Sequence, residues 1–154
     1  MNLKIRKYKK GDYEKFIHPL EKENMKFYMD KYISGGWSDK LNKLGFDENL
    51  KNGWIYLFGD DSEIFGNFRI SPDNTDNTAL YIHSIQIKKE FQNKGYGTQI
   101  LNFIELKSKK LNFKKFRLSV FKDNPAINLY LKFDFEIIDS TPNLNLVLME
   151  KILT

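Results

Sequence analysis

The chain has 154 residues, a formal net charge of +5, no cysteine and only two histidines. This length suffices for one domain with its own hydrophobic core, while the lack of cysteine excludes disulfides, thiolate metal sites and a cysteine nucleophile. Because two histidines cannot complete a catalytic zinc site without carboxylates, and no segment approaches the ~20 apolar residues of a membrane span, we expect a cytoplasmic protein with no metal and no membrane contact.

The first third of the chain is predicted to form one strand and two helices. The segment LKIRKY alternates apolar and polar residues, as a strand does. A helix over residues 11–33 follows, with Asp12 as its N-cap and a kink or restart at Pro19. The glycines of SGGW end it, and a second helix is predicted over residues 38–53.

The middle of the chain is predicted to form three strands. Residues 53–59 and 62–70 are expected to pair as a hairpin that is closed by the turn GDD. After the polar loop SPDNTDNT, the β-branched and apolar run ALYIHSIQI predicts a strand over residues 79–87.

The last third alternates helices and strands. Apolar residues recur at helical spacing over residues 97–113, and KKFRLSVFK predicts a strand over residues 114–122. In the short helix expected over residues 124–133, Asn124 is placed to cap it and Pro125 stands at its first position. Two final strands cover residues 135–140 and 144–152. The predicted order is therefore β α α β β β α β α β β.

A glycine-containing turn, QNKGYGT from Gln92 to Thr98, connects the central strand to the following helix. Unpaired N–H groups at a helix N-terminus bind anions, and glycine lets the backbone approach a phosphate without interference from Cβ. A P-loop and a dinucleotide fingerprint are both excluded, because Gly97 is followed by Thr98-Gln99 and Ile100 holds the third glycine position. The turn indicates an anion site, with a purely structural strand-to-helix turn as the alternative.

The basic excess lies wholly in the second half of the chain. Residues 1–80 carry 13 basic and 13 acidic side chains, whereas residues 81–154 carry 12 basic and seven acidic ones. This bias is typical of a nucleic-acid surface or of a site for a polyanionic small ligand, and a solvated lysine-rich surface is a third explanation.

Two motifs resemble the signatures of the GNAT superfamily of N-acetyltransferases. IQIKKEFQNKGYGTQIL contains a Gln/Arg-x-x-Gly-x-Gly/Ala loop after a central strand, and NPAINLYLKFDFE contains an Asn, a short helix and a Leu-Tyr pair before an aromatic residue. The predicted element order is also similar to that fold over nearly the whole chain. Two features depart from the family pattern: Asp134 stands at a usual glycine position, and the interval from Asn124 to Tyr130 is one residue shorter than in many members. Aspartate tolerates the left-handed conformation better than most residues, so a helix C-cap is expected at Asp134.

The resemblance implies a single N-acetyltransferase domain over residues 1–154, of the α/β (α+β) class. Its mixed, mostly antiparallel sheet would have about seven strands, with about four helices, and would be splayed between the fourth and fifth strands. In this family the pantetheine arm of acetyl-CoA lies in that gap and the pyrophosphate lies on the glycine loop. Acetyl-CoA is therefore the implied co-substrate, and its binding residues would be Ile85, Gln86, Ile87, Gln92, Asn93, Lys94, Gly95, Tyr96, Gly97, Thr98 and Asn124.

The implied reaction is direct attack of a primary amine on acetyl-CoA in a ternary complex. Tyr130 matches the family's tyrosine that protonates the leaving thiol, and a tyrosine that only packs in the core is the alternative. His83 is the best side chain on the central strand for taking the proton of the amine, because histidine titrates near working pH. The alternative is a structural histidine, with a water relay as the base.

By the same resemblance, the amine acceptor should bind over the first helices. Aromatic and acidic residues there are expected to line an amine pocket or to belong to the core: Phe27, Tyr28, Tyr32, Trp37, Glu21, Glu23 and Asp30. The acceptor would be a small-molecule amine or an amine of a peptide or protein, and the enzyme a monomer or a homodimer.

Two hypotheses compete with an enzyme. The first is a non-catalytic acyl-CoA-binding module of the same fold, although the chain retains both the loop and Tyr130. The second is a nucleic-acid binder that uses the basic half. That half contains no identifiable recognition motif and its basic residues are spread over several elements, so no nucleic-acid partner is expected.

Overall fold

The computed structural model describes residues 2–154, and within them four α-helices and seven strands follow in the predicted order. The helices are α1 (His18–Tyr32), α2 (Asp39–Asn52), α3 (Tyr96–Lys110) and α4 (Ala126–Lys132). The strands are β1 (Lys4–Lys7), β2 (Trp54–Gly59), β3 (Ile64–Pro72), β4 (Ala79–Ile87), β5 (Lys115–Phe121), β6 (Glu136–Thr141) and β7 (Leu146–Ile152). No helix among these residues combines the length and the apolar character that crossing a membrane requires.

The strands form one mixed sheet in the order β1-β2-β3-β4-β5-β7-β6. β4 and β5 are parallel, whereas the pairs β1–β2, β2–β3, β5–β7 and β6–β7 are antiparallel. The parallel pairing begins with Ala79 and Lys115 and its last pair is Ile82 with Leu118, although β4 continues to Ile87. These findings confirm the predicted mostly antiparallel sheet and the parting of its fourth and fifth strands.

The chain divides into two compact units, each with apolar side chains buried inside it. The first unit comprises the chain through Ser71 together with Ser84–Gln92, and the second comprises Pro72–His83 together with Asn93–Thr154. A core cluster of the first unit contains Tyr13, Ile17, Phe46, Ile55 and Leu57. In the second unit, the apolar face of α3 is fully buried through Ile100, Leu101 and Ile104. Burying an aliphatic side chain of this size contributes about 1.5–3 kcal/mol, so the helical spacing seen in the sequence produces a stable core.

The beginning of the first helical region differs from the prediction. A single π-helical turn, Tyr13–Ile17, precedes α1, and Pro19 lies in the first turn of α1, where its missing N–H costs little. The predicted N-cap at Asp12 is wrong, because Asp12 makes no side-chain capping bond there. Its Oδ2 instead accepts hydrogen bonds from Arg6 Nη1 and from the Lys9 backbone N–H, both at 2.7 Å.

A buried polar network connects α1 and α2 to β3 in the first unit. Arg69 donates from Nε and Nη2 to the Glu21 carboxylate at 3.0 and 2.9 Å, and from Nη1 to Asn49 Oδ1. Asn42 Nδ2 donates to Glu21 Oε1 at 2.9 Å, and the Tyr13 hydroxyl donates to Asn42 Oδ1. Because Glu21 is only 2% exposed and Arg69 9%, their charges are neutralised by each other away from water.

The C-terminus of α4 is closed by a left-handed residue, as predicted for Asp134. Its φ is +71°, its N–H donates to the Leu131 carbonyl at 3.1 Å, and the Phe135 N–H donates to the Tyr130 carbonyl at 3.0 Å. These two bonds define a Schellman motif. The rings of Tyr130 and Phe135 meet edge to face at 5.9 Å, which supplies the apolar contact that usually accompanies the motif.

Replacing Asp134 by glycine is expected to raise the free energy of unfolding by about 0.5–1 kcal/mol. The left-handed conformation costs an L-residue about 1–2 kcal/mol, and glycine removes this cost while it loses more backbone entropy on folding. Urea denaturation measures the difference. Asp134→Ala keeps the Cβ in the same conformation, so it should not be stabilising; a gain from alanine equal to that from glycine would contradict the argument.

Candidate active site

The N-terminus of α3 has no side-chain cap, in contrast to that of α2. At α2, Ser38 Oγ accepts a hydrogen bond from the Leu41 N–H at 3.1 Å. At α3, the preceding residue is Gly95, no side chain makes a capping bond, and the first turn contains no acidic residue. No side-chain cap therefore covers the positive end of the dipole of the 15-residue helix α3, as an anion site at a helix N-terminus requires.

Glycine occurs at the two positions of this turn for different structural reasons. Gly95 has a φ of +88°, which an L side chain rarely adopts, and a Cβ there would meet nothing within 4 Å. Asn93, two residues earlier, is also left-handed, with a φ of +61°. Gly97 is buried inside α3, and a Cβ there would lie 2.6 Å from Leu129 Cδ2 on α4. Gly95 thus permits the shape of the loop, whereas Gly97 permits the close packing of α3 on α4.

Most of the predicted loop residues are exposed. Exposed positions are Gln92, Asn93, Lys94, Gly95 and Thr98. The Tyr96 side chain is an exception because it is only 4% exposed, so any contact of this residue with a ligand has to involve its backbone.

The predicted residues at the end of β4 and after it are connected by hydrogen bonds in the first unit. The Ile87 carbonyl accepts from Gln92 Nε2 at 2.9 Å and from Asn24 Nδ2 at 3.1 Å. Asn24 also donates to Gln86 Oε1 at 3.0 Å, and Gln86 Nε2 donates to Ser84 Oγ at 3.1 Å. The Asn24 and Gln92 side chains thus occupy both lone pairs of the Ile87 carbonyl oxygen. The predicted backbone contact of Ile87 with the pantetheine arm is therefore restricted to its N–H group.

Asn24 was not predicted as a site residue. It belongs to α1 and meets Gln86 across 62 positions of sequence, and no local motif signals such a contact. The same bonds explain why Gln86 is buried although it is polar. Its side chain orients the end of β4 from within the protein, while Ile85 in the same strand is half-buried.

His83 is exposed on β4 in the second unit, beside a hydroxyl pair that the sequence did not indicate. Its ring centroid lies 4.8 Å from that of Tyr81, and the Tyr81 hydroxyl donates to Ser119 Oγ at 2.7 Å. Burial raises the pKa of Tyr81, and Ser119 partly opposes that rise, so the phenol remains protonated at neutral pH. Ser119 follows Leu118, the last β5 residue that pairs with β4, so this side-chain bond continues the contact between the two strands.

Tyr130 lies on α4 with 8% of its surface exposed. Burial raises the pKa of Tyr130 to about 12, so its hydroxyl keeps its proton throughout the working range of an enzyme. Its neighbour Leu129 contacts the position of Gly97, so the packing of the second unit brings the glycine loop and the helix of Tyr130 together. Asn124 caps this helix as predicted, since its Oδ1 accepts from the Ala126 N–H at 3.0 Å.

Several residues expected near the amine acceptor have structural partners instead. The Glu21 carboxylate is held by Arg69 and Asn42. Asp30 accepts from Lys26 and from the Trp37 backbone N–H. These contacts give Glu21 and Asp30 structural roles. Phe27 is 62% exposed, so of its two predicted roles the core role is excluded.

Comparison with known proteins identifies the family. A family model described as the acetyltransferase (GNAT) family matches residues 17–135. An uncharacterized N-acetyltransferase of Lactobacillus delbrueckii subsp. lactis is 27% identical over 123 residues, which cover 76% of this chain and 70% of that protein.

Solved structures of similar proteins agree with the fold. The PaiA N-acetyltransferase of Thermoplasma acidophilum, in complex with coenzyme A, has a TM-score of 0.72, 21% identity and 99% coverage of each chain. A GNAT acetyltransferase of Elizabethkingia anophelis with acetyl-CoA bound has a TM-score of 0.73, 22% identity and 99% coverage of each chain. The family match extends over more than half of the chain. This chain therefore belongs to the GNAT family of acetyltransferases, enzymes that use acetyl-CoA as the acetyl donor.

Proposed function

We propose that this protein transfers the acetyl group of acetyl-CoA to a primary amine by direct attack in a ternary complex. The observation that carries the proposal is the uncapped N-terminus of α3, which packs through Gly97 against the helix that bears Tyr130. An anion site and a protonated phenol in the same unit suit a thioester ligand that has phosphates at one end and a leaving sulfur at the other. We further propose that residues 1–154 act as one N-acetyltransferase domain in the cytoplasm, as a monomer or a homodimer.

The loop suits the phosphates of acetyl-CoA in shape and charge. Gly95 leaves open space where a Cβ would stand, and Lys94 adds a positive charge beside the N–H groups of residues 93–98. The Ile85 and Ile87 backbones are proposed to bind the amide-containing arm, and the excess of basic residues in the second half favours a polyanionic ligand. The proposed donor-binding residues are Ile85, Gln86, Ile87, Gln92, Asn93, Lys94, Gly95, Tyr96, Gly97, Thr98 and Asn124.

The proposed chemistry needs one proton acceptor and one proton donor. Acetyl-CoA supplies an acyl group that is activated as a thioester. His83 takes a proton from the ammonium form of the acceptor, which frees the nitrogen lone pair for attack on the thioester carbon. As the bond from that carbon to sulfur breaks, Tyr130 donates its hydroxyl proton to the departing sulfur, and the second proton, which the nitrogen loses as it becomes an amide, returns through solvent to the Tyr130 oxygen. Because its pKa is raised to about 12, the Tyr130 hydroxyl carries the proton that this step needs at neutral pH.

The His83→Ala variant is expected to lose about 100-fold in kcat/KM and to lose the acidic limb of its pH profile. A base works only when it is neutral, so the activity of the wild type should fall as the pH drops through the range where histidine is protonated. The measurement is kcat/KM from pH 5 to 9. The matched control is His18→Ala, since His18 bonds Asp39 and is not among the proposed catalytic or donor-binding residues. An acidic limb that is the same in wild type and His83→Ala would favour a water relay.

Alanine at Gly95 is expected to weaken acetyl-CoA binding at least tenfold, whereas alanine at Gly97 should weaken it less than threefold. A Cβ strains the left-handed backbone at position 95 and moves the N–H groups of the loop. At position 97 the Cβ meets only the end of the flexible Leu129 side chain, and the backbone suits alanine. Calorimetry gives both dissociation constants. Equal losses at the two positions would argue against the proposed loop geometry.

The experiment that tests the proposed function is calorimetric titration with acetyl-CoA and with S-acetylpantetheine, which lacks the phosphates. We expect micromolar binding of acetyl-CoA and at least 100-fold weaker binding of S-acetylpantetheine, because the loop binds the phosphates. A panel of amines that is followed by release of free thiol then identifies the acceptor. Tight binding without thiol release from any small-molecule or peptide amine would favour the non-catalytic module, and no binding would overturn the assignment of the loop.

A further inference from the structure

Two side-chain hydroxyl groups meet at the point where β4 and β5 stop pairing in the second unit. Tyr81 pairs with Arg117 across the two strands, and Ile82 with Leu118 is the last backbone pair. The Tyr81 hydroxyl donates to Ser119 Oγ at 2.7 Å, and Ser119 lies one residue beyond that last pair. A side-chain hydrogen bond therefore joins the two strands where their backbone pairing ends.

The Tyr81 hydroxyl has a physical reason to bond Ser119 and not the cation beside it. Burial raises the pKa of Tyr81 and the bond to Ser119 opposes that rise, so the phenol keeps the proton that it donates. Arg117 can only donate hydrogen bonds, so it cannot accept this proton. Its guanidinium is held by Glu150, at 2.6 Å from Nε, and by Asp73, at 3.4 Å from Nη1. The hydroxyl of Ser119 is therefore what fixes the phenol end of Tyr81.

The ring of Tyr81 stands beside the imidazole of His83. The two residues are two positions apart on one strand, so their side chains leave the same face of the sheet. Their ring centroids lie 4.8 Å apart and the ring planes are tilted by 52°, which is a normal aromatic contact. An exposed side chain such as that of His83 can adopt several rotamers unless a neighbour restricts it. The contact with Tyr81 restricts the imidazole on one side.

We propose that Tyr81 is a positioning residue for the imidazole of His83, and that the hydrogen bond from Tyr81 to Ser119 holds the phenol ring in place. The inference rests on the proposed function, in which His83 takes a proton from the amine. A base has to lie within hydrogen-bond reach of that proton, and side chains that are held by packing and hydrogen bonds maintain such a distance. Tyr81 and Ser119 thus act on the chemical step through His83 and do not contact the reacting atoms.

Loss of this hydrogen bond is expected to lower kcat and to leave the binding of both substrates almost unchanged. In Tyr81→Phe and in Ser119→Ala, kcat should fall about tenfold, because the imidazole is no longer held where the proton is transferred. The KM of the amine that releases most thiol in the panel, and the dissociation constant of acetyl-CoA, should stay within about twofold of wild type. The double variant should be no slower than either single variant, since all three lack the same bond. Ser119→Thr keeps a hydroxyl on the strand and should retain the turnover of the wild type.

An NMR measurement on the imidazole itself needs no acceptor amine. The chain contains two histidines, so in the His18→Ala background every histidine ring signal belongs to His83. Its ring C–H signals should shift when Tyr81→Phe or Ser119→Ala is added, because the adjacent aromatic ring is no longer fixed. Adding Ser119→Thr should leave these signals in place. The same spectra show whether each variant is folded.

Unchanged His83 ring signals in both Tyr81→Phe and Ser119→Ala would overturn the inference, whatever their activity. A KM for the amine that rises while kcat stays constant would also overturn it, since the two hydroxyls would then bind the acceptor directly. Ring signals that shift while kcat keeps its wild-type value would confirm the positioning of His83 and reject His83 as the base. Failure of the proposed function is therefore distinguishable from failure of this inference.

Discussion

The Tyr130→Phe variant is expected to lose turnover by about 100-fold or more, with acetyl-CoA affinity within twofold of wild type. Phenylalanine keeps the ring that packs against Phe135 and removes only the hydroxyl. General-acid catalysis contributes about 10²–10⁴-fold, so loss of the donor should appear in kcat. Because the pKa of Tyr130 is about 12, the wild type should also show no alkaline loss from this group below about pH 11. Steady-state kinetics and calorimetry measure both quantities.

A matched control separates the hydroxyl's chemistry from its packing. Tyr56 is also buried, at 6% exposed, and stacks on Phe68 at 5.1 Å in the first unit, outside the proposed site. Tyr56→Phe should leave kcat within threefold of wild type. If Tyr130→Phe were equally active, Tyr130 would be a core residue and another group would protonate the sulfur.

The Arg69→Met variant is expected to be the most destabilised single variant, by about 3–5 kcal/mol. Its guanidinium supplies three hydrogen bonds to Glu21 and Asn49, and its removal leaves the Glu21 carboxyl group, which is 2% exposed, without its cationic partner. Breaking a buried ion pair on one side costs about this much because the remaining charge has lost its partner. Urea denaturation at pH 7 measures the change.

Two further variants test whether loss of the charge partner of Glu21 causes the destabilisation of Arg69→Met. The double variant Glu21→Met/Arg69→Met removes both charges and should be less destabilised than Arg69→Met alone. Lys4→Met breaks the exposed ion pair with Asp61 and should leave the free energy of unfolding almost unchanged. A double variant that is as unstable as the sum of its two single variants would show that packing, and not the unpaired charge, dominates.

The order of the four helices and seven strands was predictable because most of them have a strong local signal. The run ALYIHSIQI coincides with β4, Ala79–Ile87, since its β-branched and apolar residues are bounded by a polar loop and by charged residues. The cap at Asn124 and the left-handed Asp134 were likewise predictable, because both conformations depend on residues within the same helix and its ends. Most of the fold could therefore be predicted from local sequence patterns.

The errors and omissions arose where polar side chains find partners far along the chain. Asp12 had the pattern of a helix cap, but Arg6 on β1 holds its carboxylate. Asn24 reaches the end of β4 across 62 positions, and Glu21 reaches Arg69 across 48. Nothing in the local sequence distinguishes such a residue from one that faces solvent, so the buried polar network and the bond between Tyr81 and Ser119 required the structure.

The contact between Gly97 and Leu129 makes the permitted residues at these two positions depend on each other. A side chain larger than alanine at position 97 would need a residue smaller than leucine at position 129. A smaller residue at position 129 opposite the native Gly97 would leave a cavity beside α3. Because Leu129 precedes Tyr130, any repacking of this pair also changes the position of the phenol relative to the loop. Variant libraries designed for a different acyl donor should therefore vary residues 97 and 129 together. Most substitutions at only one of the two positions would disturb the packing of α3 on α4.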